Sequence, residues 1–120
     1  MFGEGDCSYI VSEMTNDTFR ALAHPIRRGV VERLALGPAT VGEATRGFGV
    51  SKPTVTRHLR VLEEAGLVVR TVEGRTHRLR LEPAPLTEAE DWLETQRARW
   101  ERLFDVIEQY LEEQPGKEEA

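Results

Sequence analysis

The stretch VSKPTVTRHLRVLEEAGLVV, residues 50–69, decides how the rest of the chain is read. Ser51 is a strong N-cap, and Pro53 falls in the first turn behind it, where a missing backbone N–H removes no helical bond. Val55, Leu59 and Leu62 recur at i, i+4 and i+7, the spacing that buries one face of a helix. Gly66 ends that helix. The opposite face carries Lys52, Thr56, Arg57 and Arg60, with Thr54 and His58 on its flank. Upstream, Thr40 can cap a short helix through Arg46, which Gly47-Phe48-Gly49 breaks with a tight turn. Two short helices joined by a glycine-containing turn form a helix-turn-helix.

Past Gly66 the hydrophobic period changes from helical to two. Leu67–Val72 and Arg75–Leu81 are β-rich runs around Glu73-Gly74, a two-residue hairpin signal. Leu79 and Leu81 fall on one face of the second run, Arg78 and Arg80 on the other. Pro83 and Pro85 close the hairpin, and Thr87-Glu88-Ala89-Glu90 reads as a capping box opening a helix to about Glu113. Trp92, Gln96, Trp100, Leu103, Ile107, Tyr110 and Leu111 lie along one stripe of that helix. They offer more apolar surface than one small domain can cover, which marks a partner surface. A two-fold pairing of chains would bury it and set two reading helices about one DNA turn, ~34 Å, apart.

In the other direction, Asp17–Ala23 reads as a short helix with Phe19 and Leu22 on one face. A second helix opens at Pro25, carries Ile26, Val30, Val31 and Leu34 at helical spacing, and ends at Gly37-Pro38. The expected fold is therefore mainly α with a small β-hairpin (α+β): a winged helix-turn-helix domain over residues 15–113, including a C-terminal dimerisation helix at 87–113. Residues 1–14 read as a flexible N-terminal arm and 114–120 as a disordered acidic tail.

The net charge of −5 over 120 residues hides a division. Residues 20–81 hold 12 Lys/Arg against 5 Asp/Glu, a net +7, while the remaining residues hold 4 against 16, a net −12. A basic middle between acidic ends is an electrostatic footprint for a polyanion. A helix entering the major groove reads bases with its N-terminal residues while neighbouring cations hold phosphates. Ser51, Lys52, Thr54, Thr56 and Arg57 occupy those positions, with His58 and Arg60 beside them, and Arg57 has the fork that suits a guanine edge. Arg75 and Thr76, at the hairpin tip, are placed to reach an adjacent phosphate or the minor groove. The partner expected from these residues is double-stranded DNA.

Other classes fit poorly. No apolar run approaches the ~18 residues that span a membrane, so no membrane partner is expected. The N-terminus carries Glu4, Asp6 and Glu13 without a basic n-region, and a cytoplasmic protein is expected. Cys7 is the only cysteine; its acidic neighbours disfavour a thiolate, and it reads as inert. No Ser/His/Asp or Cys/His grouping could activate a nucleophile, and no Gly-rich phosphate loop precedes a helix, so no enzyme is expected. A protein-docking module built on the aromatic helix would not require the clustered cations at Lys52, Arg57, Arg60 and Arg75.

The words FRALAHPIRRGVVERLALGPATVGEA (19–44), VSKPTVTRHLRVLEEAGLVV (50–69) and EGRTHRLRLEP (73–83) resemble the ArsR-type family of winged helix-turn-helix repressors, over about Phe19 to Leu111. The resemblance implies a homodimer on a pseudo-palindromic operator, with release when a small-molecule effector binds. It implies that Ser51 to His58 read DNA, that Arg75 is the wing contact, and that the first and last helices form the dimer interface. At His24 many members have an Asp capping the next helix, and a slightly weaker cap is expected here. Metal-sensing members carry paired cysteines in the helix before the turn, where this chain reads Thr40-Val41-Gly42-Glu43-Ala44, or His and carboxylate ligands on the final helix, where residues 82–120 contain no histidine. His24, His58 and His77 fall on three different elements, His58 flanking the core or touching DNA and His77 packing beside Leu79, so neither metal nor cofactor is expected. The Trp92, Trp100, Arg102-Leu103 and Tyr110 pattern looks like a branch without the known metal sites, and the effector is left unidentified.

Overall fold

The computed structural model describes residue 13 and residues 15–113. Residues 15–21 form helix α1. It is followed by α2 (Pro25–Ala35), strand β1 (Ala39–Thr40), α3 (Val41–Ala44), α4 (Lys52–Glu64), β2 (Val68–Glu73), β3 (Thr76–Leu81) and α5 (Ala84–Glu113). The chain divides into two compact units, one ending at Ala89 and the other beginning at Glu90. The predicted arm falls outside the described residues except for Glu13, which is already helical, and the predicted tail falls outside them altogether. Cys7 lies outside them too.

In the first unit an apolar cluster draws from α1 to α4, β2 and β3, with Ala39 of β1 partly buried against it. Ala21 of α1, Val30 and Leu34 of α2, Ala44 of α3, Leu59 and Leu62 of α4, Val68 of β2 and Leu79 of β3 are buried together with Leu67. Each fully buried leucine contributes about 1.5–3 kcal/mol relative to exposure, so the helical period of α4 and the two-residue period of β3 are enforced by one core. Leu22, expected at a dimer interface, is half-buried and packs against this cluster. Gly29 sits in mid-helix because Phe48 needs the space: a Cβ there would lie 2.8 Å from the Phe48 ring. The same ring is covered by the Arg33 guanidinium at 4.2 Å, a cation–π contact that seats the turn between α3 and α4 on α2.

The wing is larger than a hairpin. β1 pairs antiparallel with β3 (Ala39 with Leu79, Thr40 with Arg78), giving a three-stranded sheet in the order β1-β3-β2. Two residues are too few to show a period, and the pairing links positions some forty apart in sequence, so the strand left no local signal. The β2–β3 ladder runs from Val68 opposite Leu81 to Glu73 opposite Thr76, which makes the connecting pair Gly74-Arg75 rather than the expected Glu73-Gly74. Gly74 has φ +61°, the positive value that a II′ turn requires at its first central position. The shift moves Arg75 from the strand into the tip itself.

The start of α5 also differs from expectation. Thr87 does not cap the helix: its amide donates to the Pro83 carbonyl at 3.0 Å, a bond of helical span, and its hydroxyl donates to the same oxygen at 3.3 Å. Pro85 therefore occupies the first turn, where proline is tolerated, instead of terminating the wing. At the other end of the chain, α1 begins before Asp17, its expected first residue, and Thr15 and Thr18 are buried one turn apart.

Candidate nucleic-acid interface

Ser51 caps α4 as expected: its Oγ accepts from the Thr54 amide at 3.4 Å and lies 3.0 Å from the Thr54 hydroxyl. Thr54 is half-buried and engaged in this cap. Lys52, Thr56, Arg57 and Arg60 are exposed. At 100° per residue they occupy one face spanning about 140° of the helix. On the opposite side His58, Leu59 and Leu62 are buried. His58, counted among the DNA-reading residues but read as either flanking the core or touching DNA, belongs to the inner face, where Arg27 and His24 cover it.

The unoccupied cations are on the outer surface. Among the described residues, Lys52, Arg57, Arg60 and Arg75 form no ion pair, whereas Arg70 pairs with Glu63 at 2.7 Å and Arg80 with Glu82 at 2.9 Å. Two shallow hollows lead from the α4 face to the wing. The first, of about 470 Å³, is lined by Thr56, Arg60, Glu63, Glu64 and Arg70. The second, of about 450 Å³, is lined by Arg70, Arg75, Thr76 and His77 on the wing side and Thr40, Val41 and Gly42 on the other.

Arg70 is the divider between them and is the residue that sequence reasoning missed. On β2 it shares the inner face with Val68, and opposite them stand Leu79 and Leu81. It donates through Nε and Nη2 to the two carboxylate oxygens of Glu63 at 3.3 and 2.7 Å, and through Nη1 to Nδ1 of His77 at 3.2 Å. The bidentate geometry fixes the wing against α4. Glu63 and Arg70 lie on either side of the Gly66 turn, and no single-element period links them. His77 was expected to pack beside Leu79; it is on that face of the strand, but exposed, with Arg70 as its partner.

Both helix starts near this surface are well capped. Thr40 and Glu43 form a capping box at α3: the Thr40 hydroxyl accepts from the Glu43 amide at 3.1 Å, and the Glu43 carboxylate accepts from the Thr40 amide at 2.9 Å. Those bonds from Thr40, backbone first, hold the Glu43 carboxyl below its ordinary range. At α2, His24 takes the N-cap position, its Nδ1 accepting from the Ile26 amide at 3.1 Å.

The stripe expected to pair two chains lies on α5. Within residues 90–113, Trp92 is 41% exposed, Trp100 60%, Leu103 52% and Ile107 44%; Tyr110 and Leu111 are open as well, while Gln96 is half-buried. Leu93 and Phe104 are also exposed, and Phe104 stacks on Trp100 with ring centroids 5.3 Å apart. Phe19, on α1, is half-buried. Among the described residues, no helix is long and apolar enough to cross a membrane.

Comparison with known proteins places these features in context. A family described as a helix-turn-helix domain matches residues 22–71. The HTH-type transcriptional regulator Rv2034 of Mycobacterium tuberculosis is 46% identical over 68 residues, a match spanning 57% of this chain and 64% of that regulator's length. The crystal structure of an ArsR family transcriptional regulator superposes with a TM-score of 0.72 at 39% identity, covering 75% of this chain and 93% of the other. The solution structure of a homodimeric winged helix-turn-helix DNA-binding domain from Mycobacterium bovis superposes with a TM-score of 0.62 at 25% identity, covering 86% of this chain and 94% of the other.

Proposed function

Because this chain belongs to the ArsR family of winged helix-turn-helix transcriptional regulators, a family and fold of DNA-binding regulators rather than enzymes, we propose that it is a homodimeric repressor on an inverted-repeat operator. The observation that carries this reading is the set of exposed cations with no carboxylate partner among the described residues, Lys52, Arg57 and Arg60 on α4 and Arg75 at the wing tip, of which Arg60 and Arg75 line the two hollows. Cations left unpaired on a folded surface are free to replace the counterions of phosphates.

Roles divide by position. Arg57, near the N-terminal half of α4, reads a base edge in the major groove through two N–H donors. Lys52 and Arg60 flank it and hold phosphates, and Arg75 grips the backbone or minor groove beside the half-site. Ser51 and Thr54 fix the start of the helix. The exposed α5 face of one chain packs against that of a second, supported by the homodimeric state of the Mycobacterium bovis domain. Repression follows from occupation of a promoter, and a small molecule that alters the dimer would release it.

The test is fluorescence anisotropy on duplexes selected from random sequence by the purified chain, repeated across a salt series. Affinity is expected to exceed that for scrambled DNA and to fall log-linearly with salt, at a slope near −0.9 per phosphate neutralised. Arg57→Ala is expected to relax preference at one base pair per half-site, at a cost of ~1–3 kcal/mol. Arg75→Ala is expected to weaken all sequences alike and to make the salt slope shallower by ~1 per chain. Equal weakening of all sequences by Arg57→Ala would remove that residue from base reading.

A further inference from the structure

Three helices meet at side chains that the outer surface does not use. Arg27 of α2 donates through Nε to the Ala21 carbonyl at 2.7 Å and through Nη2 to the Arg20 carbonyl at 3.0 Å, so it takes up carbonyls at the C-terminal end of α1. Its Nη1 lies 3.1 Å from Nδ1 of His58 on α4. A guanidinium carries donors only. His58 therefore accepts at Nδ1 and keeps its ring proton on Nε2. The His58 ring rests on that of His24, with centroids 4.2 Å apart and planes tilted by 40°. His24 is committed in the same way, since its Nδ1 accepts from the Ile26 amide.

We propose that His58 is a positioning residue of the DNA-reading helix: clamped between Arg27 and His24, it sets the seat of α4 on α2, and acidification opens the clamp. The inference rests on the DNA-reading role given to α4 above. His58 and Arg57 are adjacent on one rigid helix, so a change in the seat of the first turns the second away from its base.

The direction of the pH effect follows from the geometry. A second proton on His58 must go to Nδ1, where it ends the bond from Arg27 and sets a cation 3.1 Å from the guanidinium. No neighbouring charge favours it: the groups acting on the ring are His24 and Arg27 from α2 and Arg57 from α4 itself. Burial first, and then these neighbours, push the imidazole below its ordinary range. Because the native value is lowered, the clamp is intact at and above the ordinary histidine value of about 6.5 and opens only as pH falls through the lower native one.

The test uses the full chain and a duplex it selects from a random pool at pH 7.5. Binding is measured from pH 7.5 to 5.0 for the wild type and for His58→Asn, whose amide oxygen can accept from Arg27 but does not titrate. The wild type is expected to lose affinity in the acidic part of this range, below the ordinary histidine value, by up to about tenfold per pH unit for each chain of the bound dimer. His58→Asn is expected to hold constant within about twofold over the same range. An equal loss in both overturns the proposal. A second measurement needs neither DNA nor a variant: in an NMR titration of the wild type, amides of residues 55–62 are expected to move with the midpoint of the His58 ring. Amides that stay still while His58 titrates overturn it. If no duplex is enriched from the pool, the DNA-reading role fails while the NMR titration still decides the clamp.

Discussion

Placing glutamate at both Leu103 and Ile107 is expected to leave the protein folded but monomeric, and to lower its affinity for an operator duplex by ~10²–10⁴-fold, the gain that linking two binding sites provides. Both residues are about half exposed within the α5 segment, on a face shared with Trp92, Trp100, Tyr110 and Leu111. A stable dimer buries ~1,200–2,000 Å² in total, and the apolar face runs for about 30 Å of helix at 1.5 Å per residue. Two carboxylates facing their symmetry copies across an apolar seam would be desolvated and repelled together. The first unit keeps its core, since every residue of the buried cluster lies between Ala21 and Leu79. Sedimentation should therefore show halved mass with an unchanged circular dichroism spectrum, and anisotropy should show residual binding to a single half-site. A dimer that persists, or a monomer that binds the full operator as tightly as wild type, would refute the pairing through α5.

How much of this was legible in the sequence depends on the range of the interaction. The cap at Ser51, the apolar face of α4 and the break before it are encoded within a few residues, and the helix-turn-helix follows from them. The exposed cations of α4 were equally legible, being the complement of its apolar face. Differences arose where backbone bonding or a distant partner overrode a local side-chain signal. Pro85 and Thr87 look like a stop and a cap, yet the chain is helical from Ala84, and both are absorbed into the first turn. The wing tip moved by one residue because the ladder from Val68–Leu81 to Glu73–Thr76 sets the register, and only Gly74 can take the positive φ at the first turn position. On a helical wheel His58 stands on the flank of α4, about 40° from Leu62 and about 100° from Arg57. His24 and Arg27, more than thirty residues earlier, decide that it turns inward. Arg70 was invisible for the same reason, its bonds to Glu63 and His77 crossing from strand to helix and from strand to strand.

Leu62 and Arg57 lie on opposite faces of one helix, and their alanine variants are expected to fail in opposite ways. Leu62 is fully buried in the cluster that joins α4 to α2 and the sheet. Removing its side chain costs the transfer energy of the lost atoms and leaves a cavity that the packed neighbours can only partly fill. Together these amount to about 2–5 kcal/mol. A domain of this size is stable by only ~5–15 kcal/mol, and each kcal/mol shifts the midpoint of a 60–100-residue domain by ~4–8 °C, so Tm should fall by roughly 8–40 °C. Arg57 is exposed and unpaired among the described residues, so Arg57→Ala should change stability by no more than ~0.5 kcal/mol. On DNA the order reverses. Leu62→Ala, assayed well below its own midpoint, should retain the wild-type base preference with a smaller active fraction, whereas Arg57→Ala should be fully active and indiscriminate at one position. Calorimetry and anisotropy on the same two preparations measure both halves. A Leu62→Ala chain with altered base preference but an unchanged midpoint would mean that the inner face of α4, and not Arg57, carries the sequence reading.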